Sequence, residues 1–326
     1  MKAIVVSQPG PPEVLQIRDI PRPAVRPGWV RVRVKAFGLN RSEMFTRQGH
    51  SGTAVKFPRV LGIECVGIVD DPSDSGLERD RTVAAVMGGM GRDFDGGYAE
   101  YALLPATHIM PVDTTLPWAQ FAAIPEAYLT AWGCLVEAME ARSGQVLLVR
   151  GGTSSVGMAA ISLARDLGLT VAATTRNTAR ADVLRAAGAA HVIIDSGAIA
   201  PEARRLFPQG VNGVLELIGT TTLLDSLKCP GMRGIVCYAG MLGNAWSLEH
   251  FEPMPAIPST VRLTVYTTHI VTAANSTGPL QQIVRGIESG RLRSNLDRVF
   301  RFDDIVAAHR YMEENRSTGK LVVTVD

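Results

Sequence analysis

The sequence predicts an α/β protein that contains a doubly wound parallel sheet and a second, β-rich domain. About 115 N-terminal residues read as short strands separated by turns, and the middle of the chain alternates strands with helices. The length of 326 residues is long for one compact domain. Repeated βα units are typical of a parallel sheet, so two domains of different character are expected.

The N-terminal part shows the alternation of half-buried strands. Residues 30–35 read VRVRVK, which places apolar side chains on one face and charged ones on the other. Further strands are predicted at 63–69, 82–86 and 96–104, where apolar runs are bounded by turn-forming clusters. The Gly- and Met-rich stretch 87–97 fits either a mobile loop with an adaptable apolar wall or a surface turn with core methionines.

Strands and helices begin to alternate near Leu116. A helical segment is predicted over 117–138. The elements predicted after it are strand 146–149, helix 155–167, strand 170–175, helix 179–187, strand 191–195, helix 200–207, strand 213–218, helix 221–227 and strand 234–239. The C-terminal part mixes again, with helices predicted at 279–288 and 303–314 and strands at 299–302 and 321–325.

Composition excludes several classes of function. A net charge of +2 gives no reason to expect binding to nucleic acid or to an acidic membrane surface. The four cysteines form no C-x-x-C pair, which argues against a disulfide framework and a structural zinc knuckle. The first residues lack the apolar core of a signal peptide, and no apolar run is long enough to span a membrane. We therefore expect a soluble, cytoplasmic protein.

The segment RGGTSSVG, residues 150–157, resembles a phosphate-binding loop. A dinucleotide fingerprint reads G-x-G-x-x-G, and here Gly152 and Gly157 keep the outer spacing while Ser154 takes the middle position. The loop follows the first strand of the βα series and opens a helix, where backbone N–H groups hold a pyrophosphate. The cofactor-binding residues predicted here are Gly152, Thr153, Ser154, Ser155, Val156 and Gly157. The alternative is a plain helix N-cap, since Ser and Thr favour that position.

Cofactor selectivity is expected at the end of the next strand, where proteins that bind NAD place Asp or Glu on the ribose hydroxyls. This chain has Thr174, Thr175, Arg176 and Asn177 there, followed by Arg180. No carboxylate is present, and guanidinium groups bind a 2′-phosphate well. The pattern favours NADPH, with Arg176, Asn177 and Arg180 as ligands. Solvent-exposed charges at a helix start are the alternative interpretation.

Several motifs in order resemble the medium-chain dehydrogenase/reductase superfamily, and within it the zinc-free quinone oxidoreductase branch. They are GLNRSEMF (38–45), VLGIECVG (60–67), GGYAEYALLP (96–105), AYLTAWGCL (127–135), GGTSSVG (151–157) and TGKLVV (318–323). The resemblance covers essentially the whole chain. It implies a GroES-like catalytic domain made of residues 1–123 and 272–326, and a Rossmann domain at 124–271 that binds NADPH.

The zinc ligands of the alcohol dehydrogenases in this superfamily are missing. Asn40 stands where the resemblance places a Cys, and Ile63 where it places a His, so that Glu64 alone remains. One carboxylate does not make a tetrahedral zinc site, and no metal is expected. Without a Lewis acid to polarise a carbonyl, the substrate must already be a good hydride acceptor.

The resemblance also implies roles for individual residues. Asn40 would be the catalytic residue that positions substrate and nicotinamide, and it could equally be a turn-former after a strand. The remaining residues expected near the cofactor are Thr130, Tyr238, Gly240, Met241, Arg316 and Lys320. Lys320 could equally be a solvated charge. Two departures stand out: Met44 and Phe45 leave no phenol where the family often has a Tyr, and Asp195 stands where a Tyr often helps to bind the 2′-phosphate.

The predicted function is NADPH-dependent hydride transfer to a quinone or similar small hydrophobic acceptor. An NADPH-dependent enoyl or 2-alkenal reductase is the close alternative, and a non-catalytic NADPH-binding sensor is the alternative from another class. The β-branched run 258–268 predicts an edge strand. A homodimer joined near residues 261–267 is expected, with a solitary edge covered by a loop as the alternative.

Overall fold

The computed structural model describes residues 1–325, which divide into two compact units. The first unit comprises Met1–Leu129, Thr268–Gly290 and the chain from Ser294 onward, and the second comprises Thr130–Thr267 and Arg291–Arg293. The sequence predicts boundaries after residues 123 and 271, whereas the contacts divide the chain after Leu129 and Thr267. Among residues 1–325, no helix combines the length and apolarity needed to cross a bilayer.

The N-terminal part of the chain is dominated by strands, as the alternation at 30–35 predicts. Val30, Val32 and Val34 are buried on one face of the long strand β3, while Arg33 is exposed on the other. The elements are β1 (Lys2–Val6), β2 (Leu15–Asp19), β3 (Trp29–Gly38), α1 (Arg41–Arg47), β4 (Arg59–Val60), β5 (Glu64–Asp71), β6 (Thr82–Val86), β7 (Tyr101–Pro105), β8 (Ile109–Pro111), α2 (Trp118–Ala122) and α3 (Pro125–Trp132).

A π-helical turn, Gly133–Ala138, follows α3 and leads to the alternating part of the chain. The elements there are β9 (Val146–Arg150), α4 (Ser155–Asp166), β10 (Thr170–Thr175), α5 (Ala181–Ala187), β11 (His191–Ile194), α6 (Ala200–Leu206), β12 (Val211–Glu216), α7 (Thr220–Ser226), β13 (Pro230–Tyr238), α8 (Pro253–Ala256) and β14 (Arg262–Val265). The C-terminal elements are α9 (Ala273–Glu288), β15 (Leu296–Arg301), α10 (Ile305–Glu313) and β16 (Lys320–Thr324).

The second unit contains the predicted doubly wound sheet. Its six strands are all parallel and lie in the order β11-β10-β9-β12-β13-β14. The strand order reverses direction at β9, so the carboxyl ends of β9 and β12 flank the switch point where such sheets bind ligands. The predicted fold class is thereby confirmed for this part of the chain.

The first unit is built on two sheets. A seven-stranded sheet has the order β15-β16-β3-β5-β6-β8, with β7 also paired to β3, and a three-stranded sheet has the order β2-β1-β4. Strand β16 comes from the C-terminal part of the chain and pairs antiparallel with β3 at Val322 and Gly38. The C-terminal segment thus belongs to the β-rich unit.

Some predicted elements were wrong in extent. The strand predicted over 96–104 begins only at Tyr101, because the backbone at Gly96 packs directly on Gly62; a Cβ at Gly96 would lie 2.2 Å from the Gly62 carbonyl oxygen. The same close packing, and burial of Met90, show that 87–97 is a turn with a core methionine. The edge strand predicted over 258–268 is confined to β14.

Two proline positions explain the errors in helices. Pro125 starts a new helix, so that the segment predicted over 117–138 is divided into α2, α3 and the π-helical turn. Helix α9 begins at Ala273 rather than at Pro279, because Thr272 and Asn275 form a capping box and Pro279 lies inside the helix. Neither α1 nor the short strands β1, β2 and β4 were predicted.

A glycine in the π-helical turn offers a test of the packing of the second unit. A Cβ at Gly133 would lie 1.9 Å from the ring of Tyr266, whereas one at Gly278, inside α9, would meet nothing within 4 Å. We expect Gly133→Ala to lower the free energy of unfolding by about 1–3 kcal/mol. Gly278→Ala should change it by about 0.5 kcal/mol or less, because the helix preference of alanine is offset by crowding of its Cβ against the ring of the next residue, Pro279. Calorimetric unfolding of both variants checks this, and equal shifts in the same direction would contradict it.

Candidate functional site

The glycine-rich loop connects the carboxyl end of β9 to the start of α4. Its two outer glycines are closely packed: a Cβ at Gly157 would lie 2.4 Å from the Gly151 carbonyl oxygen, which leaves no room for a side chain, and one at Gly152 would make a tight contact of 3.1 Å with the Thr174 carbonyl oxygen. The loop is also bound to the neighbouring strand, since the Gly151 amide donates to Thr174 Oγ1 and the Gly152 amide to Thr174 O. The predicted loop therefore lies at the carboxyl edge of the sheet.

Ser154 caps helix α4. Its hydroxyl accepts a hydrogen bond from the Gly157 amide at 3.0 Å and donates one to the Gly151 carbonyl oxygen at 2.8 Å. The hydroxyl hydrogen is therefore donated within the loop. Ser154 thus acts as a helix N-cap, the alternative to a cofactor ligand that the sequence left open.

Two backbone amides of the loop are left for a ligand. Within residues 1–325, the N–H groups of Thr153 and Val156 have no hydrogen-bond acceptor, and both residues are partly exposed at the start of α4. Such amides, together with the positive end of the helix dipole, fit the pyrophosphate of a dinucleotide. The residues present therefore fit the expected cofactor.

Two further segments meet the loop at the switch point. A Cβ at Gly240 would lie 2.4 Å from the Leu217 carbonyl oxygen, and one at Gly219 would lie 3.4 Å from the Tyr238 hydroxyl and from Met241 Cα. Tyr238, Gly240 and Met241 thus lie beside the turn that follows β12. Gly219 was not predicted; its backbone, with φ of 111°, is one that glycine adopts readily.

The predicted selectivity residues lie directly after β10. Arg176 and Asn177 are exposed, and Arg180 is half-buried in the short turn that precedes α5. Asn177 caps that turn, because its side chain accepts a hydrogen bond from the Ala179 amide. Arg176 makes no hydrogen bond or ion pair within the described chain.

A buried ionic network lies below the loop, and it was not predicted. Arg150, the last residue of β9, is fully buried and binds both carboxylate oxygens of Asp195, at 2.9 and 3.0 Å. It also donates to Asp225 at 2.8 Å. Glu216, at the end of β12, accepts hydrogen bonds from Ser226 and from the amides of the next turn. Charged residues at the ends of buried strands were the sequence signal for this network.

A second buried network lies in the first unit around Asn40. The Asn40 side-chain oxygen accepts from Lys320 Nζ at 2.6 Å, and its Nδ2 donates to Glu43 at 3.2 Å and to Glu64 at 3.0 Å. Lys320 Nζ lies 2.5 Å from Glu64 Oε1 and is fully buried. Every polar atom of the Asn40 amide is therefore engaged. Asn40 is also the N-cap of α1.

Burial and neighbouring charges shift the pKa values of Glu43 and Lys320 in this network. Burial raises the pKa of Glu43 to about 7, although it accepts hydrogen bonds from Ile63 and Asn40 that favour the carboxylate. Burial opposes the charge of Lys320, yet Glu64 and Glu126 raise its pKa above the usual value. Lys320 is thus held as an ammonium ion, and it is not the solvated charge considered from the sequence.

The donor set around Lys320 does not fit zinc. Asn40 supplies an amide and Glu64 a carboxylate. The amide oxygen of Asn40 and Oε1 of Glu64 already bind the ammonium group of Lys320. Zinc in proteins requires thiolate, imidazole or carboxylate ligands in a tetrahedral arrangement. Among residues 1–325, no three His, Cys, Asp or Glu side chains come together as a ligand set.

Arg316 and Thr130 lie in different units. Arg316, in the first unit, lies 3.3 Å from Glu314 and stacks over the Tyr311 ring at 4.6 Å. Thr130 is buried in α3, at the start of the second unit. Of the predicted site residues, Asn40, Arg316 and Lys320 belong to the first unit and the others to the second.

Comparisons with known proteins agree with both parts of this fold. Residues 26–114 match the model of the alcohol dehydrogenase GroES-like domain, and residues 187–323 match that of the zinc-binding dehydrogenases. Rat quinone oxidoreductase is 27% identical over 329 residues, which cover 99% of this chain and 97% of the relative.

Solved structures show the same similarity. The quinone oxidoreductase of Pseudomonas syringae pv. Tomato DC3000 superimposes with a TM-score of 0.90 at 25% identity, over 99% of both chains. A mycobacterial protein solved with NADPH gives a TM-score of 0.89 at 24% identity over 100% of both chains, which shows the shared fold.

Lys320→Met tests whether the first-unit network holds this lysine. Removal of the ammonium leaves Glu64 buried without its counter-ion, so we expect a loss of about 3–5 kcal/mol in the free energy of unfolding. Urea unfolding measures it, and Lys320→Met/Glu64→Gln should recover part of the loss. The exposed Lys56→Met is the control, with an effect of about 0.5 kcal/mol or less. Equal effects of the two single variants would contradict the assignment.

Proposed function

The chain belongs to the quinone oxidoreductase branch of the medium-chain dehydrogenase/reductase superfamily, and we propose that it is a zinc-independent enzyme that transfers hydride from NADPH to a quinone. Its similarity to relatives named quinone oxidoreductases supports an oxidoreductase that acts on a small-molecule substrate.

The observation that carries the choice of acceptor is the position of Lys320. Its ammonium group binds Asn40 and Glu64, the positions at which the superfamily's alcohol dehydrogenases carry or adjoin zinc ligands. Because the ammonium group is fully buried, it does not polarise a substrate carbonyl directly. Reduction of a simple ketone would therefore lack electrophilic help. An acceptor that is already electron-poor, such as a quinone, does not need it.

The loop and the residues after β10 support NADPH as the hydride donor. The amides of Thr153 and Val156 would bind the pyrophosphate, and Arg176 would bind the 2′-phosphate. A bound NADPH supplies the hydride. The protein positions the two reactants. The Asn40 side chain would be a rigid part of the site, because hydrogen bonds to Glu43, Glu64 and Lys320 hold it in place.

Steady-state oxidation of NADPH with 1,4-benzoquinone, a 2-alkenal of similar size and NADH as alternative donor tests the proposal. We expect turnover of the quinone at least about tenfold faster with NADPH than with NADH, unaffected by removal of metals. Arg176→Ala should reduce the preference for NADPH about tenfold. The control is Arg142→Ala, since this exposed residue precedes β9 at the opposite edge of the sheet.

Other outcomes of this assay contradict the proposal at defined points. Faster reduction of the 2-alkenal would make the chain an alkenal reductase. Tight NADPH binding without turnover of either acceptor would indicate a sensor, and faster use of NADH would overturn the role given to Arg176. Loss of activity with chelators that returns with zinc would contradict independence from zinc.

The chain is further proposed to form a homodimer through β14. This strand pairs only with β13 within residues 1–325 and forms an edge of the six-stranded sheet, with Val265 59% exposed. Exposed edges of this kind pair readily with a second copy. Analytical ultracentrifugation should give twice the mass of the 34.9 kDa chain. Val265→Lys should give monomers, whereas Val183→Lys on α5 should not, and a monomeric wild type would refute the dimer.

A further inference from the structure

We propose that Arg150 determines cofactor selectivity: it neutralises Asp195 from inside the protein, so that a 2′-phosphate meets the charge of Arg176 rather than that of a bare carboxylate. This inference rests on the proposed function, because it concerns the same cofactor. It assigns a role in selectivity to a buried residue that does not itself contact the cofactor.

The register of the sheet places Asp195 beside the expected phosphate position. Strands β10 and β11 are parallel, with Thr175 paired to Ile194, so the residues that follow them are level with each other. Those residues are Arg176 and Asp195, and the Asp195 amide donates to the Thr175 carbonyl oxygen at 2.9 Å. A carboxylate at this edge of the sheet would favour ribose hydroxyls and repel a 2′-phosphate.

Arg150 occupies both oxygens of that carboxylate. The guanidinium group forms a bidentate pair with Asp195, at 2.9 and 3.0 Å, and the Gly197 amide donates to the same carboxylate at 2.9 Å. The Asp195 side chain is only 8% exposed. Burial opposes its charge, but the hydrogen bonds from Arg150 and Gly197 keep the pKa of Asp195 below its usual value. The carboxylate is therefore ionised, paired and turned inward.

Arg150 is itself fixed by further contacts, so it keeps hold of Asp195. Its remaining N–H groups donate to Asp225 and Ser226 and to the carbonyl oxygens of Thr222 and Gly197. The carboxylate of Asp225 is in turn bound by the amides at the start of α6. A guanidinium group with all its donors engaged and no exposure stays in one position.

The pairing leaves the charge of Arg176 for the ligand. Arg176 is the neighbour of Asp195 at the sheet edge, yet within the described chain it makes no ion pair. The two arginines thus have different roles: the buried Arg150 neutralises the Asp195 carboxylate, and the exposed Arg176 remains available to bind the 2′-phosphate.

The test compares the binding of adenosine 2′,5′-bisphosphate and adenosine 5′-monophosphate, which differ only in the 2′-phosphate. Calorimetric titration of the full chain gives the ratio of the two affinities for each variant. Arg150→Met should lower this ratio about tenfold, because Asp195 then repels the phosphate. Arg150→Met/Asp195→Asn should restore it to within about twofold of the wild type, and Asp195→Asn alone should change it by less than about twofold.

Two further variants keep the test decisive. Arg204→Met is the control, because Arg204 is a partly buried arginine of the same unit that binds only backbone carbonyl oxygens, and the ratio should stay unchanged. If Arg150→Met does not fold, Arg150→Lys should lower the ratio about threefold, since an ammonium group lacks the bidentate geometry, and Asp195→Asn should again restore it.

The inference is overturned if the ratio is unchanged in the Arg150 variants, or if Asp195→Asn fails to restore it. It is also overturned if Asp195→Asn alone raises the ratio more than about fivefold, because the carboxylate would then act on the ligand despite Arg150. A wild-type ratio near one would refute the selectivity for NADPH. The change in the ratio caused by Arg150→Met would still decide the role of Arg150.

Discussion

A fully buried cation at one end of a strand organises each unit of this protein. Arg150 ends β9 in the second unit, and Lys320 begins β16 in the first. Burial of a charge is costly unless carboxylates and hydrogen bonds replace the lost water. Both cations meet that requirement with residues from other strands and loops: Arg150 with Asp195 and Asp225, and Lys320 with Glu64 and Asn40. These pairings fix the side chains of Asp195 in the second unit and of Asn40 and Glu64 in the first.

The two networks have opposite consequences for their surroundings. In the first unit, the ammonium group engages the oxygens that a cation of another kind would need, which favours chemistry that relies on an activated acceptor. In the second unit, the guanidinium group removes an unfavourable carboxylate from the edge where the cofactor is expected. In the proposed function, one network bears on the choice of acceptor and the other on the choice of cofactor, although neither cation is exposed.

The sequence predicts what depends on neighbours along the chain. The βα series, the glycine-rich loop and the exposed Arg176 all follow from local periodicity and spacing. The pairing of Arg150 with Asp195 joins residues 45 positions apart, and that of Lys320 with Asn40 joins residues 280 apart. Such pairings depend on strand order and register. Hence Asp195 reads from the sequence as a repelling charge, and Lys320 as a surface lysine or a cofactor ligand.

Stability alone does not account for the network around Arg150. Replacement of a buried ionic cluster by well-packed apolar residues is often neutral or even stabilising, so a fold of this kind does not require the arginine. A bidentate guanidinium pair differs from apolar packing in that it fixes direction: it holds the Asp195 carboxylate on the buried Arg150. An uncharged residue at position 195 would remove the carboxylate altogether and would need no buried arginine to neutralise it. Since the chain instead carries both charges, the orientation of Asp195 is the property that Arg150 supplies to the edge of the sheet.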